Sequence, residues 1–163
     1  MAGQIVNQAQ TGTPGTPVTV LHVSTTSQAT TGTSEEVLAT YTLPANTLSA
    51  NGKAIRVTAS FKHAANTNGT TERIRFGGIS GDVVASMSFS VNGGDAVLTA
   101  TIIRTGATTQ AAYGIGFPGA TPPVVVATPS QTLANAIDVV VTGTTPTSAA
   151  DVTFRTLLVE ALN

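Results

Sequence analysis

The chain has 163 residues, a formal net charge of −1, only 9% charged residues and no cysteine. This composition excludes disulfides and thiolate metal sites, and it provides no basic field for nucleic acid or for an anionic membrane surface. No apolar run approaches the ~20 residues of a membrane-spanning helix, and the first residues show no signal-peptide pattern. With 41% hydrophobic residues the chain can bury a core. We therefore expect a folded domain with neither a nucleic-acid nor a membrane partner.

Residues 1–17 predict a flexible, extended N-terminal arm rather than a core element. Gly and Pro recur through residues 11–17, and they interrupt helices and strand ladders alike. Gln4, Ile5 and Val6 form a small, mostly apolar patch on this arm. Residues 18–163 are predicted to form the folded domain.

From residue 18 onward, apolar residues recur with a period of two, which predicts β-strands. The clearest strand covers residues 53–62, where Ile55, Val57, Ala59 and Phe61 form one dry face. No amphipathic helix is predicted, and at most one helical turn is expected, over residues 130–136. The other predicted strands cover residues 18–23, 37–43, 73–76, 83–90, 96–104, 109–115, 124–127, 137–142 and 152–159.

Short strands separated by Asn-Gly and Gly-rich turns predict an all-β protein with two packed antiparallel sheets. A jelly roll is the first expectation, and an immunoglobulin-like sandwich is the second. Two segments, residues 96–104 and 153–160, are apolar on both faces. This pattern fits either a central strand or a strand whose outer face meets another subunit.

The residue types that carry catalysis are scattered. His22 is expected on a sheet face with a hydrogen bond, and His63 is expected at a solvated strand edge. Glu35 and Glu36 are neighbours, so in a strand they point to opposite faces and cannot form the facing pair of a glycosidase. The segment of residues 114–119 matches the G-x-G-x-x-G pattern, but prolines follow where a helix would have to begin, so we assign it to a loop. We predict no enzymatic activity, no cofactor and no metal site.

Five stretches, taken in order along the chain, resemble those of a known family. The stretches are LATYTLPANTL (38–48), SANGKAIRVTA (49–59), RIRFGG (73–78), IIRTG (102–106) and FRTLLVE (154–160). Their order is similar to that of small β-sandwich virion proteins of tailed bacteriophages, of the capsid decoration (cement) type, and of related modules at the tips of tail fibres. The resemblance covers about two thirds of the chain, from residue 37 onward.

The resemblance implies a jelly-roll-like, commonly trimeric sandwich in the virion, on the outer surface of the capsid or on the tail, without cofactor or catalytic residues. The short lead favours a capsid decoration protein over a fibre tip. The expected partners are the major capsid protein or another virion protein and sister subunits of a homotrimer. The residues expected to bind them are Gln4, Ile5 and Val6 of the arm and Arg73 and Arg75.

The alternative function is that of a receptor- or carbohydrate-binding module at the tail tip. Sugar sites use exposed aromatic rings, and aromatic residues make up only 4% of this chain, without any tryptophan. Tyr113 and Phe117, in a Gly-rich segment, are the candidate platform. The other interpretation is that Tyr113 covers one end of the sandwich, and the sequence leaves the two positions open.

Overall fold

The structure is a computed structural model that describes residues 18–90, 92–117, 124–147 and 150–162. All regular structure in these residues is β-strand, in two antiparallel sheets that pack face to face, which confirms the predicted all-β sandwich. The strands are β1 Thr19–Ser24, β2 Gln28–Ala29, β3 Glu36–Leu43, β4 Ala54–His63, β5 Thr70–Phe76, β6 Asp82–Phe89, β7 Gly94–Arg104, β8 Gln110–Phe117, β9 Val124–Ala127, β10 Ile137–Thr144 and β11 Val152–Ala161.

The order of the strands is that of a jelly roll. The long sheet has the order β1-β11-β4-β7-β8-β9, with the short β2 also paired to β11, and the short sheet has the order β3-β10-β5-β6. The antiparallel pairs are nested: β5 with β6, then β4 with β7, β3 with β10, and β1 with β11. Successive pairs fall in alternate sheets, as in one long hairpin rolled into a sandwich. The β8–β9 hairpin widens the long sheet beyond this framework.

The core lies between the inner faces of the two sheets. The predicted dry face of β4 is fully buried, from Ile55 to Phe61. Phe61 meets Phe154 of β11 edge to face, with ring centroids 6.4 Å apart, and Phe76 and Leu98 are among the other large side chains that are fully buried. Each such side chain contributes about 1.5–3 kcal/mol through burial.

Register shifts occur in four of the strand pairs, and those in β3 and β11 show how a β-bulge changes the alternation that the sequence predicts. In β3 the register slips at Leu38, so Leu38 is buried and Val37 is exposed. In β11 the register slips at Arg155, so Phe154 and Leu157 both face the core. A bulge adds one residue and reverses the face of every residue beyond it. Strand β11 is apolar at both odd and even positions partly because the bulge moves the inward-facing residues from one set to the other. The strand itself lies inside the long sheet, between β1 and β4.

The turns between strands follow the predicted Asn-Gly positions. Gly52, with φ of 88°, closes the turn before β4 in a conformation that disfavours other residues. The expected helical turn over residues 130–136 is wrong, because Asn135 N donates to Thr132 O in a simple reverse turn. Within the described ranges the structure has no helix long and apolar enough to cross a membrane.

Candidate functional site

The outer face of the long sheet carries an exposed apolar surface at its β7–β8–β9 end. Pairing aligns Phe117 with Val97 and Tyr113 with Val126 across neighbouring strands, so these side chains share one face. The exposed fraction is 80% for Val126 and about half for Tyr113 and Phe117. We name this surface the apolar face; its members are Val97, Tyr113, Ile115, Phe117, Val124 and Val126.

Glycines alternate with the outward-facing aromatic residues of β8 and occupy its inner side, where there is no room for a side chain. A Cβ atom at Gly114 would lie 2.3 Å from the Val84 carbonyl oxygen and 2.4 Å from the Ala85 Cβ atom, across the sandwich. At Gly116 a Cβ atom would meet Met87 at 2.9 Å. The G-x-G pattern therefore lets β6 approach β8 closely, and the assignment of this segment to a loop is wrong for the residues that belong to β8.

The apolar face lacks charged residues, in contrast to the middle of the same sheet. Residues 105–137 contain no Asp, Glu, Lys or Arg. On the outer side of β4 and β11, Arg56 pairs with Glu160 at 2.9 Å, and Ser60 hydrogen-bonds Thr156 at 2.6 Å. The part of the chain that the structure describes encloses no pocket. A flat, contiguous apolar surface of this kind is typical of an interaction site.

The two arginines predicted to bind a partner lie together on the outer face of the short sheet. Arg75 binds the Glu35 carboxylate through two nitrogens, Nε and Nη2, at 2.8 Å each. Arg73 Nη1 lies 3.4 Å from the same carboxylate, to which Thr142 also donates a hydrogen bond at 2.6 Å. The hydrogen bond from Arg75, with further contributions from Thr142 and Arg73, lowers the pKa of Glu35 from 4.5 to about 2.

This pairing neutralises one of the two guanidinium charges within the chain. A single uncompensated positive charge therefore remains for a partner, and binding through Arg73 and Arg75 stays a prediction. Glu36 is turned away from this cluster and accepts hydrogen bonds from Thr31 and Gly32. The predicted separation of the acidic pair agrees with this arrangement. The other predicted contact residues, Gln4, Ile5 and Val6, lie outside the described residues, as does the whole predicted arm.

Both histidines occupy defined positions in the sandwich. The His22 ring stacks on Tyr41, with centroids 4.8 Å apart and planes at 17°. The expected solvent exposure of His63 is wrong, because its side chain is only 3% exposed and faces the buried Glu72. Sequence reasoning missed Glu72, although its alternation with Ile74 and Phe76 already places it on the inner face of β5.

A second buried polar group ties the β4–β5 loop to the start of β11. Asp151 is 2% exposed and accepts hydrogen bonds from Asn66 at 2.7 Å, Asn68 at 3.0 Å and Thr147 at 2.6 Å. These bonds, led by the one from Thr147, lower the pKa of Asp151. Among the described residues, no three His, Cys, Asp or Glu side chains come together in a group that could hold a metal.

The chain is similar to several solved structures. No protein-family model matches it, and no curated protein matches it. One similar structure is the CBM2 module of the evolved Dit of Lactobacillus casei BL23 phage J-1, with 11% identity and a TM-score of 0.36 over 76% of this chain and 69% of that one. Another is that of infectious bursal disease virus, Gx strain, with 10% identity and a TM-score of 0.37 over 100% of this chain and 36% of that one.

Proposed function

We propose that this protein is a non-enzymatic structural component of a tailed-phage virion. Its role is that of a decoration protein that binds the major capsid protein lattice from outside and stabilises the head. The observation that carries the proposal is the apolar face, because Val124 and Val126 are 66% and 80% exposed in a protein whose core is otherwise closed. Apolar surface of this extent gains free energy when another protein covers it, at about 25 cal/mol per Å².

Three further features support the proposal. The resemblance of five sequence stretches to decoration proteins points to a virion. The jelly-roll order of the sheets agrees with what that resemblance implies. The charged fraction of 9% leaves a surface with little charge to desolvate on assembly.

Co-sedimentation with capsids tests this function. Purified protein is mixed with capsids of the parent phage that lack it, and the bound fraction is measured against protein concentration. We expect saturable binding and a higher temperature of capsid rupture. Val126→Asp should weaken binding by at least about tenfold, which corresponds to about 1.4 kcal/mol. Val37→Asp is the matched control, because Val37 is 43% exposed but lies on β3 of the other sheet.

Two outcomes would contradict the proposal. One is the absence of saturable binding to capsids while the protein remains folded by circular dichroism. The other is equal weakening by Val126→Asp and Val37→Asp, since the apolar face would then have no special role.

A second candidate function is that of a tail-tip module that binds a carbohydrate or a receptor. One observation favours it: Tyr113 and Phe117 project from the same face of β8 and are 53% and 50% exposed, so Tyr113 does not cover an end of the sandwich. Exposed rings give sugars a platform for stacking. A glycan array decides the question. Binding that Tyr113→Ala abolishes and Val37→Ala leaves unchanged would establish this function over capsid decoration.

A further inference from the structure

The two edges of the long sheet come from the two uncharged parts of the chain. Residues 1–34 and residues 105–137 contain none of the seven Lys and Arg or eight Asp and Glu residues. The first part leads into and includes β1, and the second includes β8 and β9. Contact between the two would bury no charged side chain, and so it avoids the desolvation cost of burying one.

The β9 edge is unpaired among the described residues. There β9 pairs with β8 only, and its four residues are Val, Val, Val and Ala. Exposed strand edges usually carry Lys, Pro or a bulge that prevents pairing with another chain; in this sequence Pro122 and Pro123 precede β9 and Pro129 follows it, but the four strand residues include neither Lys nor Pro. An apolar edge of this kind, next to the apolar face, can accept an extended segment that pairs through its backbone and buries alternate side chains.

We propose that the apolar face and the β9 edge bind the N-terminal segment, residues 1–17, of a neighbouring copy of this chain. The inference rests on the proposed function and deepens it: a sister copy covers the apolar face on the virion, and Val126→Asp weakens capsid binding by dissociating the oligomer that the capsid binds. Because neighbouring residues of an extended segment point to opposite faces, either Ile5, or Val6 together with Gln4, faces Tyr113 and Val126.

The segment is long enough to reach β9 of either copy, and the place where it joins the sandwich favours a neighbour over the same copy. Seventeen residues reach about 56–61 Å when extended, whereas the six strands of the long sheet span about 24 Å. The segment joins β1, at the edge opposite to β9. Within one copy it would have to cross the polar middle of the sheet, where Arg56 pairs with Glu160.

An interface between two different edges is heterologous, so repeated contacts form a ring when the rotation between copies closes and an open filament when it does not. In each copy, the segment that precedes β1 binds one neighbour, and the β9 edge binds the segment of the other neighbour. The homotrimer expected from the sequence is a ring of three such contacts.

Cysteine cross-linking tests the proposal directly, because the chain has no cysteine of its own. One preparation carries Gln4→Cys, Ile5→Cys or Val6→Cys, and a second carries Val126→Cys. The two are mixed in equal amounts and oxidised, and the linked species with twice the chain mass is measured on a non-reducing gel. We expect at least about fivefold more of it than when Val37→Cys replaces Val126→Cys, since docking raises the local thiol concentration.

Light scattering gives a second readout that does not depend on disulfide geometry. The unaltered protein should have the mass of a closed oligomer, and Val126→Asp should reduce that mass to one chain, whereas Val37→Asp should not. The proposal is overturned if cross-linking to positions 126 and 37 is equal. It is also overturned if only a chain with both Ile5→Cys and Val126→Cys links, at the mass of one chain.

Capsid binding separates this inference from the proposed function. Cross-linking between copies without binding to capsids would leave the inference standing and refute capsid decoration. Binding to capsids without cross-linking between copies would mean that the apolar face contacts the capsid itself, which refutes the inference alone.

Discussion

The Nε2 atom of His63 lies 3.9 Å from the Oε2 atom of Glu72, and both side chains are almost fully buried. This distance is too long for a hydrogen bond, and neither atom has another partner of normal geometry among the described residues. Burial therefore dominates both groups. It raises the pKa of Glu72 from 4.5 to about 7 and lowers the pKa of His63 from 6.5 to about 4. Each residue is thus held in its neutral form near pH 5.5.

These opposite shifts predict that the pair together adds almost no pH dependence to the free energy of unfolding between about pH 4.5 and 6.5. Because the pKa of Glu72 is raised in the folded protein, its contribution to the free energy of unfolding is complete below pH 4.5 and is lost as the pH rises through 7. A lowered pKa, as for His63, stabilises fully above 6.5, and this contribution is lost as the pH falls through 4. The two slopes therefore oppose each other across this range.

Single substitutions should reveal the hidden slopes. In His63→Gln the free energy of unfolding should fall as the pH rises from 4.5 to 7, by on the order of 3 kcal/mol relative to the unaltered protein. In Glu72→Gln it should fall as the pH drops from 6.5 to 4. Urea unfolding followed by circular dichroism at each pH measures both. Parallel pH profiles for the variants and the unaltered protein would refute this account.

The Glu35–Arg75 pair predicts a separate loss of stability in acid. Because the pKa of Glu35 is lowered from 4.5 to about 2, its contribution is present above pH 4.5 and is lost as the pH falls toward 2. Glu35→Gln should cost about 1–2 kcal/mol at pH 7 and flatten this part of the profile. Arg75→Lys keeps the charge but loses the two-point contact, so a smaller loss is expected. A Glu35→Gln protein with an unchanged acid limb would contradict the assignment.

Asp151 should be one of the costliest polar residues to remove. Asp151→Ala leaves the donors of Asn66, Asn68 and Thr147 without their acceptor, and we expect a loss of about 2–4 kcal/mol. Asp95→Ala is the control, because Asp95 is 80% exposed and forms only a surface pair with Lys62 at 3.6 Å. Thermal unfolding compares the two variants. Equal losses would show that the Asp151 hydrogen bonds do not hold the loop.

The close contact at Gly114 predicts strong intolerance of a single methyl group. Gly114→Ala should destabilise the protein by about 3 kcal/mol, because Val84 and Ala85 lie against that position in the opposite sheet. Gly69→Ala is the matched control, since no atom lies within 4 Å of a Cβ atom there, and its effect should stay within about 0.5 kcal/mol. Similar melting temperatures for the two variants would refute the steric explanation.

Local alternation was sufficient to predict the fold class and every strand longer than two residues. The period of two is a property of the strand itself, so the runs around Ile55, Ile74 and Val139 needed no knowledge of their partners. The two-residue β2 is too short to show a period. The bulges at Leu38 and Arg155 arise from pairing with neighbouring strands, and no pattern within β3 or β11 predicts them.

The candidate site was less accessible from the sequence, for two physical reasons. Tyr113 and Phe117 were identified from the sequence. Their exposure depends on the position of β8 outside the four nested strand pairs of the jelly roll, which is a property of the topology. His63 was misjudged and Glu72 was missed because a charged or titratable side chain is rarely buried, although the phase of Ile74 already placed Glu72 inward. For Glu72 and His63, the alternation along the strand indicated burial, but their residue types favoured exposure.

The nested pairing of the strands has a consequence for how the protein is made. Strand β11 lies between β1 and β4, so Val20 finds its partner Glu160 only after almost all of the described chain has been synthesised. Translation delivers β1 and β4 first, with open edges and exposed Phe61. Until Val152–Ala161 emerges, every nascent chain on a polysome exposes the same unpaired edges of β1 and β4. Ribosome stalling before residue 152 should therefore yield chains that aggregate or need a chaperone.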